Sequence, residues 1–309
     1  MADFINILLN ISLPIILLIA VGFGFQKIFK TDVRTFVKLQ VYLVIPVMVF
    51  VGLYKSDFPI ELVYKVVPYM LILMAALFAI SQLLSLIFSF GKGKRKAMGN
   101  AFMLINTGNY GIPLIELTFG SNPIAFASQI ILIVVQNVIT GTFCVYQASS
   151  GKSTTKQALL NIVKMPILYA IILAILLKYF SIPIPQTISI PLDYIYQAFV
   201  AIALLVLGIK LAEIKSLKGI RHVIISSVVK MLLAPVIGFG IVKMLGIDGI
   251  LAQALIIGIS TPTAVTAAII AKEFDNEADF TAQFVLATTV FCTFTLPFVI
   301  YFVPKLLPA

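Results

Sequence analysis

The stretch INTGNYGIPL, residues 105–114, sets two Asn, a Thr, a Tyr, two Gly and a Pro inside an otherwise apolar run. STPTAV, residues 260–265, does the same in the second half of the chain. Asn106, Thr107, Asn109, Tyr110, Ser260, Thr261 and Thr263 bring amides and hydroxyls, groups that hold a solute by hydrogen bonds. Gly108 and Gly111 let the backbone leave a helical path. Pro113 and Pro262 suit the first turn of a helix, where a missing N–H is harmless. Thr261, directly before Pro262, reads as an N-cap. Each outgoing helix would then aim a partly positive end, roughly +0.5 charge, at the break. Such ends attract anions. The expected chemistry is reversible capture of an anion, not bond making.

Other polar residues stand at helical depth. Lys230 lies about 12 Å along an apolar run at 1.5 Å per residue. It either faces the breaks or extends to the cytoplasmic headgroups. Gln136 and Asn137 sit mid-helix, as do Thr288 and Thr289 in the other half, so cavity lining competes with helix-to-helix hydrogen bonding. Glu116 follows the first break by ten residues. That is too far for a central carboxylate pair. GKST at 151–154 lacks the upstream glycine of a phosphate loop, because Tyr146 stands there. Cys144 and Cys292 have no CxxC partner or His cluster, which argues against metal or redox work. No plausible Ser–His, paired-Asp or HExxH constellation is found, and His222, the single histidine, lies at the edge of a span.

The elements that must position these residues follow from composition. The chain has 309 residues, 61% hydrophobic and 11% charged. A soluble domain is about 25% charged. The fold class is therefore an all-α integral membrane protein. A bilayer core of about 30 Å needs about 20 apolar residues per helix. Ten spans are expected, at 3–26, 34–53, 63–90, 97–119, 123–148, 164–180, 191–212, 222–245, 249–272 and 279–303. The first has no basic region before it and no cleavage site after it, so it reads as a retained helix. Alternate loops and helix ends hold sixteen basic residues, GKGKRK at 91–96 among them, against five on the other side. That asymmetry puts the basic side in the cytoplasm and both termini outside. It also accounts for the +10 net charge without nucleic acid.

The five spans of residues 1–150 recur in 151–309 at a roughly constant offset. Five is odd, so the copies run with opposite topology, as in many carriers. Both polar stretches fall in the fourth span of their half.

At these residues the chain resembles a known family. Asn106-x-Gly-Asn-x-Gly-x-Pro113, Pro262-x-Ala-Val265, KEFDNEAD at 272–279 and Thr-Phe-Thr-Leu-Pro297 look like the auxin efflux carriers in their bacterial malate/malonate permease-like branch. The resemblance implies two inverted five-helix repeats with crossed, broken fourth and ninth spans. Spans 1, 2, 6 and 7 would form a scaffold and homodimer surface, and spans 3–5 and 8–10 a transport part. It also implies a plasma- or inner-membrane transporter of a small organic anion, such as malate, malonate or an auxin-like acid, working by alternating access. Asn106, Thr107, Gly108, Asn109, Tyr110, Pro113, Gln136, Asn137, Lys230, Ser260, Thr261, Pro262 and Thr263 form the expected binding set. Membrane lipids are the other expected partner. No cofactor is expected beyond a coupling proton or sodium ion where uptake requires one. A sodium-coupled carrier of the bile-acid type and an ion channel are the alternatives.

Overall fold

The computed structural model describes residues 2–55, 59, 61–120, 122–149, 166–214 and 220–308. The boundary at 150/151, the GKST stretch, Lys152, Lys156, Lys164, Lys215 and Lys218 lie outside them. In chain order the main helices are α1 (Phe4–Phe29), α2 (Val33–Lys55), α3 (Glu61–Ile87), α4 (Lys92–Met103), α5 (Ile112–Phe119), α6 (Pro123–Ala148), α7 (Pro166–Tyr179), α8 (Gln186–Ala212), α9 (Ile220–Met244), α10 (Gly249–Ile259), α11 (Val265–Glu273) and α12 (Ala278–Leu306). No strand occurs among the described residues. One isolated antiparallel bridge joins Ile105 to Thr263.

Seven of these helices are long and apolar enough to cross a bilayer: α1, α2, α3, α6, α8, α9 and α12. The expected fourth and ninth spans each come as two short helices, α4 with α5 and α10 with α11. The expected sixth span is α7, whose 14 residues cover roughly 21 Å. Large apolar side chains face outward along the bundle, among them Val21, Ile28, Leu86, Val236 and Phe294, each at least 60% exposed. In water such a surface would be prohibitive; against lipid tails it is at home.

Four helical segments among the described residues contain a widened turn, at Leu8–Ser12, Gln40–Val44, Thr107–Gly111 and Thr140–Cys144. The first three end two residues before a proline: Pro14, Pro46 and Pro113. A proline ring collides with the carbonyl four residues back and offers no N–H to it. Widening the turn relieves both problems while the helix continues. At the start of α2, Asp32 caps the helix by accepting from the Arg34 N–H at 3.1 Å and the Thr35 hydroxyl at 2.8 Å. The Thr35 bond, followed by that to Arg34, holds its carboxyl below the ordinary aspartate range.

Two large cores divide the bundle, beside a small cluster around Leu104, Cys144 and Ala267. One joins α2, α7 and α8 around Met48, Val49, Ala174, Phe199 and Ala203, with Phe126 and Ile130 of α6 at its edge. The other joins α3, α4, α6, α9, α10 and α12 around Met70, Leu73, Phe102, Leu255 and Phe284. Lys55 and Asp193 form an ion pair at 2.7 Å between α2 and α8; both are partly exposed, so it adds little.

α1 lies along α8 at backbone contact. A Cβ on Gly22 would stand 2.1 Å from the Leu205 carbonyl oxygen, and one on Gly208 2.0 Å from that of Ile19. Small residues at helix contacts are what lets membrane helices attract one another by dispersion. The obstructing atoms are backbone and cannot swing aside. Gly208→Val is expected to lower stability by at least about 1–3 kcal/mol, read as a drop in melting temperature. Gly24→Val, where a Cβ meets nothing within 4 Å, is the matched control and should melt with the parent.

Candidate functional site

The two interrupted helices meet at their interruptions. α4 ends at Met103, and Leu104 turns extended at φ −81°, ψ 104°. α10 ends at Ile259, and the chain stays non-helical until Ala264 caps α11. Between them the Asn106 N–H donates to Pro262 O at 2.7 Å and the Ala264 N–H to Leu104 O at 3.0 Å. Ile105 and Thr263, flanked by this exchange, are wholly buried.

Pro113 lies in the first turn of α5. Pro262 does not hold that place in α11, and Thr261 is not its N-cap: Ala264 is. The Thr261 hydroxyl instead donates back to Gly258 O at 2.9 Å, closing α10. The physical reason is that an extended pairing also suits proline. Its fixed φ fits, its absent N–H is not wanted, and its carbonyl takes the bond from Asn106.

Unwound backbone in an apolar bundle needs partners, since each bare amide group is costly. Side chains from the next long helix supply them in both halves. Gln136 of α6 grips Ile105 with both ends of its amide: Oε1 accepts from the Ile105 N–H at 3.0 Å, and Nε2 donates to Ile105 O at 2.6 Å. Thr288 of α12 accepts from the Thr263 N–H at 3.1 Å. Gln129, two turns before Gln136, donates to Thr107 O at 2.6 Å. Its amide is wedged between the two interrupted segments: a Cβ on Gly111 would lie 2.2 Å from Nε2, and one on Gly258 2.3 Å from Oε1. Sequence reading passed over Gln129. Its signal was the spacing of 129 and 136, which puts both amides on one face of α6.

Lys230 is 1% exposed. Its Nζ donates to Ala101 O at 2.8 Å, to the Thr263 hydroxyl at 2.7 Å and to Leu104 O at 3.4 Å. It therefore faces the breaks and does not extend to the headgroups.

The remaining candidates divide by what their polar groups do. The hydroxyls of Ser260, Thr261 and Thr263 donate to Ile256 O, Gly258 O and Ala101 O. In this conformation those three protons go to backbone carbonyls, whereas the sequence predicts that these hydroxyls face a solute. Asn109 donates to the Gln40 amide oxygen of α2 at 3.4 Å. Asn137 is part-exposed and makes no side-chain hydrogen bond among the described residues. Asn106 and Thr107, 5% and 1% exposed, likewise form none with their side chains. They stand at the start of the helical segment from Thr107, whose first N–H groups lack intrahelical acceptors. Tyr110, beside the Cys292 thiol, borders a cavity of about 270 Å³ between α1, α8 and α12, lined also by Ile16, Phe23, Leu286, Thr289 and Thr293. A larger hollow of about 480 Å³ lies between α2, α7 and the start of α8. It is almost wholly apolar and touches no candidate residue.

The site is thus a wall of satisfied backbone with a few free donors, and it holds no acid–base pair. Among the described residues no group of three or more His, Cys, Asp or Glu is placed to hold a metal ion. Residues 7–300 match a family described as membrane transport protein. A protein of Methanocaldococcus jannaschii named an uncharacterized transporter is 26% identical over 295 residues, covering 92% of this chain and 94% of its own. Another so named, from Methanothermobacter thermautotrophicus, is 23% identical over 283 residues, covering 87% and 88%.

Proposed function

We propose, from the premise that the chain belongs to the membrane transport protein family, that this multi-pass membrane protein is a carrier for a small organic anion. Ten spans would form two inverted five-helix repeats, with α4–α5 and α10–α11 as the broken fourth and ninth. Their meeting point would lie near the bilayer centre, where carriers of this construction bind their solutes. The observation that carries the reading is the pairing of Asn106 and Thr107, whose side chains form no hydrogen bond among the described residues, with a helix start whose positive end is aimed at the same spot.

The core of α2, α7 and α8, together with α1 clasped to α8, would form the scaffold. The second core would form the moving part, and motion of one against the other would open the site to each side in turn. The basic loops face the cytoplasm and both termini face outward. Two chains would pair through the scaffold.

An inside-negative potential drives an exported monoanion by about 2.3 kcal/mol per 100 mV, so export needs no coupling ion. Proteoliposomes given imposed potentials and pH gradients test this on a panel of mono- and dicarboxylates. Saturable, voltage-driven carboxylate flux is the expected outcome. Flux strictly dependent on sodium would point to a sodium-coupled carrier, and unitary currents to a channel. Either result, or no carboxylate flux at all, overturns the proposal.

A further inference from the structure

Three acceptors converge on the Lys230 amine: Ala101 O, Leu104 O and the Thr263 hydroxyl. The hydroxyl gives its own proton to Ala101 O at 2.9 Å, so toward Lys230 it can only accept. A neutral amine offers two N–H donors and an ammonium three. Three acceptors with no donor among them match the ammonium. No carboxylate among the described residues pairs with it. Its counter-charge is instead the end of α4, where the last carbonyls carry about −0.5 charge in sum. Ala101 O in particular has lost its regular helical partner, because the Ile105 N–H is held by Gln136.

Carbonyls at broken helix ends are where carriers coordinate small cations. Here that position is already filled by a side chain. The carbonyl end of α10 is closed as well: Ser260 donates to Ile256 O at 2.6 Å and Thr261 to Gly258 O at 2.9 Å.

We infer that Lys230 is a resident cation: its ammonium occupies the place a coupling metal cation would take at the paired breaks, so the protein works there without one. The inference rests on reading the breaks as the carrier's binding centre. It gives Lys230 a positioning role, and it separates this site from one that recruits sodium.

The test needs no transported solute, so its outcome is independent of which anion is carried. The full chain, purified in detergent, is melted in sodium, lithium, potassium or choline chloride at equal ionic strength. The parent should melt at one temperature in all four. Lys230→Ala should melt about 6–12 °C lower in choline chloride, since removal of one partner leaves buried acceptors bare. Sodium or methylammonium chloride should restore part of that loss by entering the vacated carbonyl pocket. A sodium- or lithium-specific rise in the parent overturns the inference, as does a Lys230→Ala protein indifferent to every added cation. If Lys230→Ala yields no folded protein, the parent series decides alone: identical melting supports the inference and a sodium-specific rise rejects it.

Discussion

Asn106→Ala is expected to melt within about 2 °C of the parent yet bind the carried anion about ten- to a hundredfold more weakly. The two halves of that result come from different atoms. The Asn106 backbone N–H holds Pro262 O at 2.7 Å, and alanine keeps it. The side-chain amide holds nothing among the described residues, so its loss leaves no buried partner bare. A hydrogen bond to a charged group is worth roughly 1.5–3 kcal/mol, which is the stated fold-change at about 1.4 kcal/mol per decade. Titration of a stabilising carboxylate, followed by melting temperature, reads both quantities in one experiment. Unchanged affinity in this variant would remove Asn106 from the site, and a collapse in stability would make it a structural residue.

Gln136→Leu should show the opposite pattern, a large loss of stability with the protein's shape conserved in side-chain volume. Gln136 meets both polar groups of Ile105, at 3.0 and 2.6 Å, and Ile105 is wholly buried. Each orphaned buried group costs about 1–3 kcal/mol, so the variant should lose about 2–6 kcal/mol and aggregate at temperatures the parent survives. Thermal unfolding in detergent checks this. A variant as stable as the parent would mean that the first break does not depend on α6.

Much of this architecture was legible in the residues. Hydropathy located the seven long apolar helices because lipid demands an unbroken apolar run, and the observed bounds of α6, 123–148, coincide with those read from the chain. The two breaks were legible because Asn, Thr, Gly and Pro within such runs have few other uses. The start of α11 was not. Thr261-Pro262 has the same local chemistry at a helix start as in an extended pairing, and only Asn106, far away in the sequence, tells them apart. The hydroxyls of Ser260, Thr261 and Thr263 were expected to face a solute. Their type permits it, but the carbonyls freed by the breaks lie nearer. Gln129 escaped notice because its role depends on two glycines, Gly111 and Gly258, contributed by different halves.

The exchange between Asn106 and Pro262 and between Ala264 and Leu104 has a mechanical consequence. Pulling the two polar segments apart would break both of these main-chain hydrogen bonds among buried residues. Sliding them together past α1 and α8 would break neither. In the proposed carrier, whatever rests on this seam would then be ferried with it as cargo on one moving block, with no gap opening down the middle for it to fall through.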